Sequence, residues 1–201
     1  MKKLLFILLL ALGCAHLQAQ DEYGNFSRNI INYNRDYTYN QVANMYNQHY
    51  NIPVQKINEL YISFNKSWGD LQLGLELSRY LNIPINTIHS SYIEYGGGKG
   101  WGALAKRHGI KPGSAEFHRF KQMMNSEDLY WKNTCKKYKG HKNPKFSDQE
   151  RRNYPERLMK NPASYERDKS MKDDNMDNKR GKGHQKEHKN KKDKERGWER
   201  D

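Results

Sequence analysis

Cysteine is nearly absent from this chain: among its 201 residues only Cys14 and Cys135 are cysteines. A disulfide framework is therefore excluded, and if Cys14 leaves with a leader the mature chain carries a single thiol. Long apolar runs are missing too. The longest, Leu4 to Leu12, is nine residues, well short of the roughly twenty that a membrane-crossing helix needs. No HExxH, CxxC or GxxxxGK[ST] spacing occurs, so the common zinc and phosphate-loop signatures are absent. Gly96 to Gly100 reads GGGKG, but no strand precedes it and the phosphate-loop spacing does not follow. Acidic residues are scarce in one stretch: residues 99–145 hold twelve basic and three acidic side chains, against five and seven in residues 21–98.

What is present begins with a leader. Met1 to Gln20 has Lys2 and Lys3, then the apolar run, then small residues ahead of a polar chain, the three parts of a secretory signal. Residues 1–19 are read as a signal peptide, with cleavage after Ala19. Ala11-Leu12-Gly13-Cys14 offers a competing outcome, since it resembles a bacterial lipoprotein signal and would make Cys14 the lipidated residue. The expected location is periplasmic or extracellular, or lipid-anchored in the envelope.

Residues 20–37 are rich in Tyr and Asn and read as a flexible lead-in. Thr38 is placed to cap a helix with Val42, Met45, Tyr46 and His49 on one face, ending before Pro53; His49 reads as a packed aromatic rather than a ligand. From Asn51 the chain repeats itself. Asn51-Ile52-Pro53 recurs as Asn82-Ile83-Pro84, Tyr61-Ile62 as Tyr92-Ile93, and Trp68-Gly69 as Trp101-Gly102, with ten of 21 aligned positions identical. In each copy a proline opens a helix with an apolar stripe, a turn follows, and Trp-Gly starts a second helix. Ser67 and Asp70 have capping-box spacing in the first copy. Repeats 51–81 and 82–113 thus predict two helical hairpins, with Trp68, Trp101, Gly69 and Gly102 as structural anchors.

Ser114 follows the Lys111-Pro112-Gly113 turn and caps a helix carrying Phe117, Phe120 and Met124. A further helix is predicted from about Glu127 to Tyr138. Cys135 reads as a small, partly buried side chain on it. Beyond residue 140 apolar residues thin out, and residues 140–201 read as a disordered charged tail. The expected fold is all-α: a bundle of about five helices over residues 38–139, built on the two hairpins.

At Gly98 to Lys121 the chain resembles a segment of uncharacterised exported bacterial proteins, in which a Trp-Gly helix start leads to an Ile-Lys-Pro-Gly-Ser turn and a Phe-His pair. Trp101, Gly102, Lys111, Pro112, Gly113, Ser114, Phe117 and His118 match it. The resemblance covers about residues 51–122 and implies export, but no activity. The first copy departs by having Ser67 and Asp70 where the second has Gly100 and Ala103.

Chemistry is thinly signalled. His108, His118 and Glu116 flank one turn and could form a cluster, though separate surface or capping roles fit them better. His184 and His188 have a metal-compatible spacing in a segment not expected to hold a helix. No enzyme activity, metal or cofactor is expected. The basic segment points instead to an anionic envelope polymer or lipid surface as partner, with Lys99, Lys106, Arg107, Lys111, Arg119, Lys121, Lys136 and Lys137 as contacts. The alternatives are an assembly factor that binds another envelope protein through aromatic helix faces and, against the export signal, a DNA-binding helix-turn-helix; no specific nucleic acid is expected.

Overall fold

A computed structural model describes residues 22–160. The leader, Cys14, His184 and His188 lie outside the described residues. Among those described there are seven α-helices and no strand, the all-helical class expected: α1 (residues 22–34), α2 (Tyr39–Tyr50), α3 (Val54–Ser63), α4 (Trp68–Leu81), α5 (Ile85–Glu94), α6 (Trp101–Arg107) and α7 (Ala115–Tyr138). None is long and apolar enough to cross a membrane.

Local chemistry explains most of the boundaries. Thr38 caps α2 with a full capping box, its Oγ1 accepting from Gln41 N while Gln41 Oε1 accepts from Thr38 N. Both hairpins begin alike. The chain leaves the preceding helix through a left-handed asparagine, Asn51 at φ 55° or Asn82 at φ 56°, and then enters the next through a proline, Pro53 at φ −53° or Pro84 at φ −57°. Asparagine tolerates the left-handed region better than other residues with a side chain, and proline is already set to the φ a helix start requires. In the first copy Ser67 accepts from Asp70 N. The reciprocal half of the box is replaced by other bonds to the Asp70 carboxylate.

The central element is α4. Every residue from Leu71 to Ser78 is buried, so this helix is covered all round by its neighbours, as expected of a helix without a solvated face. Trp101 and Trp131 are the largest side chains sealed in the core. Asp70 joins the hairpins: its carboxylate accepts from Trp101 Nε1 at 3.0 Å on α6, Tyr92 OH at 2.9 Å on α5 and Ser27 Oγ at 3.0 Å on α1. Gly69 is needed beside it, because a Cβ there would lie 2.2 Å from the Ser27 carbonyl oxygen. Trp68 is only half-buried and rests against Tyr39, Tyr46 and Tyr61.

Three expectations are corrected. Most of residues 20–37 is no flexible lead-in: residues 22–34 form α1, whose Tyr23, Phe26 and Ile30 are buried. The helices expected at Ser114 and Glu127 are one continuous 24-residue helix, because the face begun by Phe117, Phe120 and Met124 runs on through Glu127, Trp131 and Cys135 to Tyr138 at helical spacing. Residues 140–160 are not a free tail. Phe146, Tyr154 and Leu158 are buried, Phe146 stacks on Tyr138 at 5.4 Å, and two short 3₁₀ turns, Asp148–Glu150 and Glu156–Met159, lie along the way. We call residues 146–160 the strap. Cys135 is buried on α7, and burial pushes its thiol up to about 12, so it stays protonated at neutral pH.

Candidate functional site

Beneath the strap, α2, α4 and α7 each turn one ionisable group inward. On α2, Tyr46, His49 and Tyr50 share a buried face, a spacing of three and four residues. From α4 comes Glu76, fully buried, and from α7 Glu127, 6% exposed. A nitrogen of His49 and one oxygen from each carboxylate lie within 4.8 Å of one another. Such a cluster is expensive to bury unless its members satisfy each other.

Each of the three has an identifiable partner. Glu76 accepts from Tyr50 OH at 2.8 Å and from Arg79 Nη1 at 3.1 and 3.2 Å. Arg152 of the strap stands 3.6 Å from Glu127 Oε1. His49 Nδ1 donates to the Glu150 carbonyl at 2.9 Å, and its own carbonyl accepts from Arg152 N and Asn153 N. Two buried atoms are left over. His49 Nε2 and Glu127 Oε2 face each other at 3.7 Å, and neither has a hydrogen-bond partner. The imidazole is flanked by the rings of Tyr50, Tyr130 and Trp131 at 4.5, 4.7 and 5.2 Å. His49 is thus packed among aromatics, as expected, and is also part of a polar cluster, which was not.

Burial, and then the charge of Glu127, push the Glu76 carboxyl up to about 7. On the strap, burial opposes ionisation of Glu150, yet hydrogen bonds from Lys137, Ser147 and Tyr138 hold that carboxyl down to about 2. The two act on stability in opposite directions. Glu76 binds its proton more tightly in the folded chain, so its contribution is complete below the ordinary value of 4.5 and is lost as pH rises through about 7. Glu150 contributes above 4.5 and loses its contribution as pH falls toward 2. Thermal scans in the presence of chelator are therefore expected to give a Tm maximum near pH 5, and Glu76→Gln should flatten the decline above it. A Tm that rises steadily from pH 5 to pH 8 would contradict this assignment.

Several of the cations expected to contact an anionic partner are already paired. Arg107 Nη1 bonds Glu94 at 3.0 Å and Tyr95 OH at 3.2 Å. Arg119 bonds Glu116 at 2.6 Å, Lys121 bonds Glu22, and Lys137 bonds Glu150 at 2.8 Å. Glu22, Glu94 and Glu150 come from outside the basic segment, so folding cancels part of a charge step that the linear sequence shows intact. Lys99 and Lys106 are exposed near the second hairpin's turn. Lys111 and Lys136 are exposed, with no acidic group at ion-pair distance among the described residues. His108 meets Ser91 Oγ at 3.0 Å, Glu116 is taken by Arg119, and His118 packs on Phe117; no shared cluster forms. Gly102 is half-buried at the start of α6.

A second feature was not legible from the chain. An open groove of about 470 Å³ runs between α2 and residues 142–151, lined by Gln41, Asn44 and Gln48 on one side and Lys142, Lys145 and Arg151 on the other. Gln41 and Gln48 fasten its far wall, donating to the carbonyls of His141, Lys142 and Pro144. Asn44 is exposed. Of the three cations only Arg151 has an acidic group at ion-pair distance among the described residues, Asp148 at 3.8 Å.

Comparison with protein families, with curated proteins and with solved structures found no match to this chain.

Proposed function

We propose that this is an exported, non-enzymatic protein that binds an acidic polysaccharide of the cell envelope through the groove beside α2. The leader sequence supports export, and the resemblance of residues 51–122 to exported bacterial proteins agrees with it. The observation that carries the binding reading is the groove itself: Lys142 and Lys145 meet no acidic group of the described chain, while Asn44 offers an amide to a sugar hydroxyl. Cations already neutralised within the fold, such as Arg107 and Arg119, add little field for a ligand. The candidate contacts therefore move from the centre of the basic segment to its end, with Lys111 and Lys136 adding long-range attraction.

The test uses polygalacturonate as ligand and neutral dextran as control. Affinity for polygalacturonate should fall as salt rises, and Lys142→Glu with Lys145→Glu should lower it about tenfold or more and reduce the salt slope by about 2. Reversing Arg107 and Arg119 should change it little. Equal binding to dextran, or a double variant that binds as the parent does, would remove the reading.

A second reading, capture of another envelope protein, is favoured by one observation. Ile62 and Ile93 occupy the same position in the two hairpins and each is 63% exposed. Ile62→Lys with Ile93→Lys separates the two: partner capture would be lost and polysaccharide binding kept.

A further inference from the structure

We propose that His49, Glu76 and Glu127 form a structural binding site for a divalent first-row transition ion, with zinc as the ion to test. Four features of the cluster point to a cation. The three residues come from three different helices, and their ligand-type atoms lie within 4.8 Å of one another in the interior. Hydrogen bonding by Nδ1 to the Glu150 carbonyl places the proton on that nitrogen and leaves a lone pair on Nε2, the arrangement that orients histidine for a metal. That lone pair faces Glu127 Oε2 at 3.7 Å, and both atoms are buried without a hydrogen-bond partner. Two lone-pair-bearing atoms facing each other in the interior repel unless a donor or a positive centre lies between them.

The donor set narrows the ion. One imidazole and two carboxylates suit zinc and its first-row neighbours, whereas calcium and magnesium prefer all-oxygen sites. Zinc bonds of about 2.0–2.1 Å to nitrogen and oxygen are shorter than half the widest spacing here, so the three side chains must draw together as the ion enters. The outer partners fit that role: Tyr50 and Arg79 already bond the Glu76 carboxylate, and the Glu150 carbonyl holds the imidazole. Arg152 now balances part of the Glu127 charge from 3.6 Å. Its side chain is 45% exposed, so it can turn outward and leave the acid to the metal. The competing occupant is a proton on His49 Nε2, which would make a buried ion pair with Glu127 and need no metal.

The experiment uses the full-length protein, stripped with chelator, and two variants. The first, His184→Ala with His188→Ala, removes the tail histidines; the second adds Glu127→Gln to it. Zinc should bind the first at about one equivalent per chain in competition with a chromophoric chelator. It should also raise Tm by about 5 °C or more at a hundredfold excess over its Kd. Adding Glu127→Gln should weaken binding at least tenfold and abolish the Tm shift, with unchanged helical circular dichroism. Should the glutamine variant misfold, cobalt substitution in the His184→Ala, His188→Ala protein decides instead: visible d–d bands of a nitrogen and oxygen site support the proposal, and a spectrum like aqueous cobalt overturns it. Binding below 0.2 equivalents, as an order-of-magnitude floor, or binding indifferent to Glu127→Gln, also overturns it. Loss of the metal site would leave the groove's ligand binding untouched, because none of its cations belongs to the cluster.

Discussion

Asp70→Ala is expected to destabilise the fold by about 3–5 kcal/mol, seen as a urea midpoint lowered by about 2 M with an unchanged slope. Three donors converge on this carboxylate, from Trp101, Tyr92 and Ser27, each on a different helix. Bonds to an ionised acceptor are worth about twice neutral ones. The alanine variant would also leave the Trp101 indole N–H without an acceptor inside the core, where Trp101 is 2% exposed. Tyr92 would keep Asn65 as a neighbour, so the damage centres on α6 and α1. Asp70→Asn retains the shape and one acceptor oxygen, and should lose about half as much. A loss under about 1 kcal/mol for the alanine variant would show that packing alone joins the hairpins.

The second large effect concerns the strap. A chain ending at Lys145 should melt about 10 °C or more below one ending at Lys160. The shorter chain lacks three side chains that fill the core, Phe146, Tyr154 and Leu158, each worth about 2 kcal/mol in buried apolar surface. It also lacks the acceptor for His49 Nδ1 and Tyr130 OH, which is the Glu150 carbonyl, and the bond between Tyr154 OH and Ser78 Oγ. Near-UV circular dichroism should report loosened aromatic packing in the shorter chain. Equal melting temperatures would mean that the strap only rests on the bundle.

The contrast between these two regions shows where sequence reasoning works. The hairpins were legible because proline, left-handed asparagine and apolar spacing act within a few residues of one another, and because the chain states the pattern twice. Helix α1 carries an equally valid stripe at Tyr23, Phe26 and Ile30, but it is interleaved with asparagines, which favour turns over helices. On α7 the stripe is interrupted at Glu127, an acid at a position where an apolar side chain would have signalled continuity; the reason lies on α2 and α4, too far along the chain to read. Glu76 did carry a local signal, an acid between Leu75 and Leu77 in the leucine-rich stretch of α4. The strap carried none strong enough to read, since Phe146, Tyr154 and Leu158 stand singly among charged and polar residues, and Pro144 and Pro155 interrupt any regular element there. The pairing of the cation candidates was hidden for a related reason: charge along the chain does not reveal that Glu22, Glu94 and Glu150 fold back onto Lys121, Arg107 and Lys137.

The order in which these pieces are made has a consequence. The ribosome delivers the seven helices first and residues 146–160 after them, and those residues roof the polar interior of α2, α4 and α7. Until they emerge, the bundle remains unsealed and comparatively easy to unravel.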